Sequence, residues 1–149
     1  MKIDTNFPPL DLDQVPDFTQ SAETIGFDAI WTSETQHDPF LPLTLIAEHS
    51  EKLLLGTAVA IAFARSPATV AYTAWDLAKL SRGRFILGLG TQVKPHIQRR
   101  FGMPWPESPV KHFARIRGRT ARLLDILANR RQAQLPGGIL QTHFNDSFL

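Results

Sequence analysis

The fold can be predicted from residues 27–43, which read Phe-Asp-Ala-Ile-Trp-Thr-Ser-Glu-Thr-Gln-His-Asp-Pro-Phe-Leu-Pro-Leu. The apolar run Ala29–Thr32 predicts a short strand, and the loop after it carries Glu34, His37 and Asp38. Two prolines further on favour the start of a helix. A strand that ends in titratable side chains is how an α/β barrel builds an active site, although acids in such a loop can equally cap the next helix.

Strands and helices alternate on both sides of this stretch. The predicted strands are Lys2–Phe7, Ala29–Thr32, Leu53–Phe63 and Phe85–Leu89, and the predicted helices are residues 13–25 (capped by Asp13 and ended by Gly26), Leu41–His49, Pro67–Arg82 (capped by Ser66) and Pro95–Phe101. Such alternation indicates a parallel sheet, either doubly wound or closed into a barrel. The Gly88-Leu89-Gly90 turn has valine where a dinucleotide fingerprint needs its third glycine, and it follows the fourth strand rather than the first. A barrel is therefore favoured.

Composition excludes several classes of protein. The 149 residues include no cysteine, so disulfides and thiolate metal sites are excluded, and no metal ligand set is expected. No apolar leader or membrane span is present, which predicts a cytoplasmic protein that does not bind membranes. Residues 111–149 carry 7 Lys and Arg against 2 Asp and Glu. No aromatic platforms lie between the charges of Lys94, His96, Arg99 and Arg100, so nucleic-acid binding is not expected.

Four segments, taken in order, resemble the luciferase-like oxidoreductases. They are Gly-Phe-Asp-Ala-Ile-Trp-Thr-Ser-Glu at 26–34, Asp-Pro-Phe-Leu-Pro-Leu at 38–43, Leu-Gly-Thr at 55–57 and Gly-Arg-Phe-Ile-Leu-Gly-Leu-Gly at 83–90. The resemblance covers residues 1–117 and implies a TIM barrel that binds reduced flavin or the deazaflavin coenzyme F-420. The Ser-Glu…His-Asp-Pro-Phe loop and the Gly-Leu-Gly-Thr turn favour the deazaflavin, with FMN as the alternative.

The resemblance also implies a hydride transfer between the coenzyme and a small organic substrate, with proton transfer left to the protein. It assigns catalysis to His37 and Glu34, although two residues separate His37 from the Ser-Glu pair that it directly follows in many members. It assigns coenzyme binding to Asp38, to a cis peptide bond between Ala58 and Val59, and to Gly90, Thr91, Gln92 and His96. The alternatives are that His37 is a surface histidine bonded to Asp38, that Asp38 is a helix cap, and that Trp31 is a core residue.

The chain is short for the fold that it predicts, because a TIM barrel needs about 250 residues and eight strands. Residues 130–138 also lack any period. Codons for residues 127–131 read one nucleotide later can give Trp-Gln-Thr-Gly, which resembles the next segment of the family. We therefore expect a truncated oxidoreductase with a half-barrel at 1–117 and an out-of-frame tail at 118–149, helical at first and irregular beyond Arg131. Its open edges predict a homo-oligomer, or alternatively an inactive oligomerising fragment.

Overall fold

A computed structural model describes residues 1–132, in which short parallel strands alternate with helices. The strands are β1 (Asp4–Asn6), β2 (Ala29–Thr32), β3 (Leu54–Thr57), β4 (Ala60–Ile61), β5 (Phe85–Ile86) and β6 (Leu89–Gly90); the helices are α1 (Val15–Ile25), α2 (Leu41–His49), α3 (Pro67–Leu80), α4 (Lys94–Arg99) and α5 (Pro109–Gln132). The predicted α/β class is confirmed.

The main sheet has four strands in the order β1-β2-β3-β5, and every neighbouring pair is parallel. The register sets Ile30 beside Leu55, and Leu55 beside Phe85. A second parallel pair is formed by β4 and β6. In the chain, β4 follows β3 and β6 follows β5. Four parallel strand–helix units in one sheet are half of an eight-stranded barrel, as predicted.

The core lies between the sheet and its helices. Ile30, Leu55 and Phe85 are buried in one cluster with residues of α2 and α3, while a second cluster joins β4 and α4 to α5. Trp31 alternates with Ile30 and therefore lies on the other face of the sheet, where it is half-buried. A Cβ built on Gly56 would stand 2.6 Å from the Trp31 ring. Gly56 thus makes room for the indole, whose Nε1 donates a hydrogen bond to Asp4 Oδ2 at 3.0 Å.

Two predicted strands are each divided in the structure. The run Leu53–Phe63 forms β3, breaks at residues 58 and 59, and resumes as β4 before a 3₁₀ turn at Ala62–Ala64. The fourth strand breaks in the same way between β5 and β6. Gly88 joins the two breaks, because its carbonyl accepts the Ala60 N–H at 2.9 Å. The prediction of two unbroken strands was wrong. Apolar composition does not show at which residue the backbone hydrogen bonds of a strand are interrupted.

The start of the first helix also differs from the prediction. Asp13 lies inside a 3₁₀ turn, Leu12–Gln14, and α1 begins at Val15. Asp11 is the residue that precedes this turn in extended conformation, and its N–H donates to Gln14 Oε1 at 3.1 Å. The prediction of Asp13 as the cap was therefore wrong, whereas the helix ends as predicted at Gly26, whose φ is 96°.

The N-terminal ends of the strands form a rim in which two charged side chains hold main-chain groups. Arg84 donates to the carbonyls of Ala47, Ser50 and Leu53 and to Ser50 Oγ, over 2.6–3.1 Å. Glu23 accepts the N–H groups of residues 51, 52 and 53, over 2.7–3.3 Å. Burial raises the pKa of Glu23, but these hydrogen bonds and the charge of Arg84 together lower it by more. The net pKa of Glu23 is therefore below its ordinary value.

The long helix α5 packs against α3 and crosses residue 117 without interruption. Ile116, Thr120 and Leu124 are buried at four-residue steps along it. The assignment of residues 118–149 to an out-of-frame tail remains a prediction, and residues 133–149 lie outside the described part of the chain. No helix within residues 1–132 has the length and apolar composition needed to cross a membrane.

Candidate functional site

The candidate site residues follow the C-terminal ends of parallel strands, so their loops leave from one rim of the sheet. Glu34, His37 and Asp38 follow β2, residues 58 and 59 follow β3, and Thr91 and Gln92 follow β6. We call this edge the C-terminal rim. In parallel α/β barrels it is the rim on which active sites form.

An ion-pair cluster ties the loop after β2 to the chain after β4. Arg65 donates to Glu34 Oε2 through one guanidinium nitrogen and to Asp38 Oδ2, at 2.9 Å, through the other. Glu34 is 5% exposed in its side chain and also accepts the Ile61 N–H at 2.7 Å. The guanidinium carbon of Arg65 lies 5.5 Å from the centre of the Phe40 ring. Burial lowers the pKa of Arg65, but its hydrogen bonds to the two carboxylates raise it more, and the net pKa is above the ordinary value.

This cluster defines what Glu34 and Asp38 do locally. Asp38 accepts the Phe40 N–H at 2.8 Å through Oδ1 and pairs with Arg65 through Oδ2. Phe40 is itself the N-cap residue of α2, and no side chain makes a capping hydrogen bond to that helix, so the alternative that Asp38 is a helix cap was wrong. The buried Glu34 carboxylate accepts hydrogen bonds from Arg65 and from the main-chain N–H of Ile61. Both side chains therefore hold the loop that carries His37. Their assignments, Glu34 to catalysis and Asp38 to coenzyme binding, stay predictions.

The peptide bond between Ala58 and Val59 is cis, as the resemblance implies. The chain around it, residues 57–60, is called the bulge below. Ala58 is exposed, and its main chain is fixed on both sides: its N–H donates to Thr32 O at 2.7 Å, and its carbonyl accepts Ser33 Oγ at 3.1 Å. Within the bulge, Ala58 is thus the exposed residue at the C-terminal rim, whereas Thr57 and Ala60 are buried.

Two glycines of the fourth strand seat the bulge. A Cβ on Gly88 would collide with the Thr57 carbonyl oxygen, and one on Gly90 would stand 2.5 Å from Val59 Cγ2. The Thr57 hydroxyl also donates to Gly88 O and accepts the Gly88 N–H. The space that Gly90 leaves is therefore occupied by Val59. Coenzyme contact by Gly90 itself remains a prediction.

His37 is exposed and, within residues 1–132, makes no hydrogen bond. The alternative that Asp38 binds its ring is wrong, because no hydrogen bond joins the two side chains and the Asp38 oxygens accept from Phe40 N–H and Arg65 instead. The imidazole lines a pocket of about 660 Å³ between the loops after β1 and β2. Because His37 makes no hydrogen bond within residues 1–132, its ring nitrogens are available to a ligand in that pocket.

The residues after β6 are less closely joined to this site. Thr91 and Gln92 are half-buried, and the Gln92 carbonyl Oε1 accepts the N–H of Val93 at 2.9 Å. His96 is exposed on α4, and the described residues show no side-chain hydrogen bond from it to the bulge. The coenzyme-binding roles of these three residues stay predictions. Within the described part of the chain, no three His, Cys, Asp or Glu side chains are grouped so that they could hold a metal ion.

Sequence reasoning missed Arg65 and the pocket wall at residues 7–12. Arg65 lies 31 residues from Glu34 in the chain, and only strand pairing brings the two together. A signal was present: Arg65 is the lone cation at the end of the apolar run, and the loop after β2 carries two acids, Glu34 and Asp38, with no cation of its own. Pairing acids with cations across adjacent strand ends would have found it.

The fold and this rim define an α/β barrel-type protein with a site at the C-terminal ends of its strands. The family model of luciferase-like monooxygenases matches residues 4–127, and the chain belongs to that family. An uncharacterized protein of Mycobacterium tuberculosis is 53% identical over 105 residues, covering 70% of this chain and 31% of the relative. The F420-dependent glucose-6-phosphate dehydrogenase of Intrasporangium calvum is 33% identical over 143 residues, covering 87% and 42% respectively.

A solved structure shows the same fold at low sequence identity. The oxygenating constituent of 3,6-diketocamphane monooxygenase from Pseudomonas putida, a type II Baeyer-Villiger monooxygenase in complex with FMN, matches with a TM-score of 0.64 and 16% identity, covering 87% of this chain and 40% of that one. The chain thus spans less than half the length of these relatives.

Proposed function

We propose that this chain forms the N-terminal half-barrel of a luciferase-like oxidoreductase, and that the C-terminal rim binds the ring of a deazaflavin coenzyme. The proposal extends to hydride transfer between that coenzyme and an organic substrate. It is supported by the family match and by the F420-dependent relative. FMN is the second candidate cofactor, since a structural neighbour was solved with it.

One observation carries the proposal: the exposed bulge lies beside the pocket that His37 lines. Ser33 connects them, because it lines the pocket and its hydroxyl binds the Ala58 carbonyl at 3.1 Å. A flat ring against the exposed Ala58 would therefore have the pocket as its neighbour. Val59 is half-buried and packs against Gly90, and this contact supports the main chain at Ala58. These residues fit the ring of a deazaflavin or a flavin.

The chemistry is then divided between the coenzyme and the chain. When bound, the coenzyme supplies or accepts the hydride. The proton on the substrate's oxygen is left to the protein, and His37 is the side chain placed to exchange it at a ring nitrogen. Arg65, Glu34 and Asp38 act as positioning residues, because they fix the loop on which His37 stands. Thr91, Gln92 and His96 are proposed to contact the phosphate side of the coenzyme.

A pair of glycine variants tests the coenzyme site. In Gly90→Ala the new Cβ would displace Val59 and with it the bulge, so the Kd for oxidised F-420 should rise by roughly tenfold or more, about 1.4 kcal/mol. Gly118→Ala is the matched control, because nothing lies within 4 Å of its Cβ and alanine favours the helix. Fluorescence titration with F-420 and with FMN measures both. Tight FMN binding with no F-420 binding would overturn the choice of coenzyme, and binding of neither would overturn the proposal.

Replacing His37 separates proton transfer from binding. In an enzyme with the missing half of the barrel restored, we expect His37→Ala to lower turnover by about a hundredfold, the scale of general acid–base catalysis, and to leave coenzyme affinity within about threefold. Gln36→Ala, an exposed neighbour in the same loop, is the control. An equal loss of turnover and of coenzyme affinity would assign His37 to binding instead.

We also propose that the chain self-associates through the outer edges of β1 and β5. Within residues 1–132 no strand pairs with either edge, and unpaired strand edges invite pairing with another chain. Ile3, which directly precedes β1 in the chain, leaves a large apolar side chain 49% exposed. Light scattering should give a mass of at least two chains. A monomer at every concentration would refute the proposal.

A further inference from the structure

The pocket at the C-terminal rim carries an inference about the substrate. Its volume is about 660 Å³, within the range of small-molecule sites, and its walls come from the loop after β1 (residues 7–12) and from residues within 32–42. We propose that this pocket binds the organic substrate, and that the substrate is a neutral, mainly apolar molecule bearing an alcohol or carbonyl oxygen. The inference rests on the proposed function and specifies its substrate class.

The walls are mostly apolar and are left open at the mouth. Leu12 and Leu41 line the pocket while remaining 45% and 57% exposed. Exposing two large leucines at one concave site costs solvation free energy that an apolar ligand would recover. The pocket therefore favours a ligand with an apolar body.

The walls are also preformed. Four of the lining residues are prolines, at 8, 9, 39 and 42, and each has a fixed φ. Hydrogen bonds anchor both loops to the sheet: Phe7 N–H donates to Trp31 O at 2.7 Å, and Thr32 Oγ donates to Pro39 O at 2.8 Å. A rigid pocket loses little conformational entropy when it binds a ligand.

The charges of the lining exclude an anionic substrate. The carboxylates of Asp11 and Asp38 line the pocket, and no lysine or arginine of the described residues does. Arg65 is shared between Asp38 and Glu34, so this cluster keeps an excess of negative charge, and Asp11 adds a carboxylate without an ion-pair partner in the described residues. A phosphate ester would meet repulsion here and find no guanidinium or ammonium to bind. The substrate class therefore differs from the sugar phosphate that the name of the Intrasporangium relative implies.

His37 supplies the polar contact that the ligand needs. Its imidazole lines the pocket and is not engaged by the described residues, so it can bind one oxygen of a ligand. Ser33 also lines the pocket and is bonded to the bulge, which places that oxygen near the proposed ring site. An alcohol carbon can give a hydride and a carbonyl carbon can accept one, while the oxygen exchanges its proton with a group such as the His37 imidazole.

Two probes with the same rings separate neutral from anionic ligands: 1-naphthol and 1-naphthyl phosphate. Ligand-observed NMR titration of the full chain, without coenzyme, should show naphthol binding at least about tenfold more tightly than the phosphate, about 1.4 kcal/mol. Asp11→Asn keeps a good capping residue and should narrow this gap by about two- to fivefold, as expected for an exposed charge. Asp76→Asn, an exposed acid on α3, is the control and should leave the gap unchanged.

A leucine pair locates the binding site. Leu41→Ser should weaken naphthol binding by roughly tenfold, because an apolar wall is lost, while Leu80→Ser, at a leucine exposed by 45% on α3, should have no effect. The inference is overturned if the phosphate binds as tightly as naphthol, if naphthol does not bind, or if the two leucine variants behave alike. If the coenzyme binds and naphthol does not, the substrate inference is refuted and the proposed function stands. If naphthol binds and the coenzyme does not, the proposed function is refuted.

Discussion

The two rims of the sheet use charged side chains in different ways. At the N-terminal rim, Arg84 and Glu23 bind main-chain carbonyl and amide groups and so fasten loops to strands. At the C-terminal rim, Arg65 binds two carboxylates, and His37 beside them is left without a partner in the described chain. The first arrangement only holds the fold together. The second holds a loop in place and leaves an imidazole accessible, which is why we propose that the C-terminal rim carries the active site.

The largest expected effect comes from removing the cation of the C-terminal rim. Arg65→Ala leaves the buried Glu34 carboxylate without its counter-ion, and we expect a loss of about 3–4 kcal/mol in the free energy of unfolding. The loop of His37 is released as well, so naphthol and coenzyme binding should both weaken. Urea unfolding and the two titrations measure this.

A double variant serves as the control for that prediction. Arg65→Met combined with Glu34→Gln removes both charges and should recover part of the lost stability without restoring binding. If Arg65→Ala changes neither stability nor binding, the cluster does not position the loop.

At the N-terminal rim, Arg84→Ala should cost about 2–3 kcal/mol, because carbonyls of three residues lose a charged donor. Ligand binding should not change in Arg84→Ala, in contrast to the weaker binding expected of Arg65→Ala at the C-terminal rim. Lys79→Ala, an exposed cation on the neighbouring helix, controls for loss of charge. Weaker coenzyme binding in Arg84→Ala, after correction for the unfolded fraction, would erase the distinction between the rims.

A smaller effect is expected from Glu23 and depends on pH. Its pKa lies below the ordinary value of 4.5, so the stabilisation by its carboxylate is complete above that value and is lost as the pH falls through the folded-state pKa. Glu23→Gln should therefore cost about 1–2 kcal/mol at pH 7 and progressively less in acid. Urea unfolding from pH 7 to pH 3 tests this; parallel curves for both proteins would contradict it.

Local patterns in the sequence were enough to predict most elements of the fold. Strand β2 follows from three apolar residues and a threonine before a polar loop, and α1 ends where Gly26 adopts a positive φ. The Asp11 turn was missed because Asp11 and Asp13 are equally good caps by residue type. The division of the third strand at residues 58 and 59 is invisible in an apolar run, although the family resemblance implied the cis bond there.

The site was harder to predict because it depends on contacts between distant residues. His37 and the acids were named from one loop, but the pairing with Arg65 and the wall at residues 7–12 exist only once β1, β2 and β4 are aligned. The role expected of Gly90 shows the same limit. A glycine at a strand end suggests ligand approach, whereas here Val59 occupies the space above it.

Amide hydrogen exchange, measured with and without saturating oxidised F-420, tests the central claim that the C-terminal rim is the functional one. The account predicts added protection in the loop after β2, in the bulge and after β6, with none at residues 50–54 or 81–84 of the N-terminal rim. Protection at the N-terminal rim alone, or no difference at either rim, would contradict it.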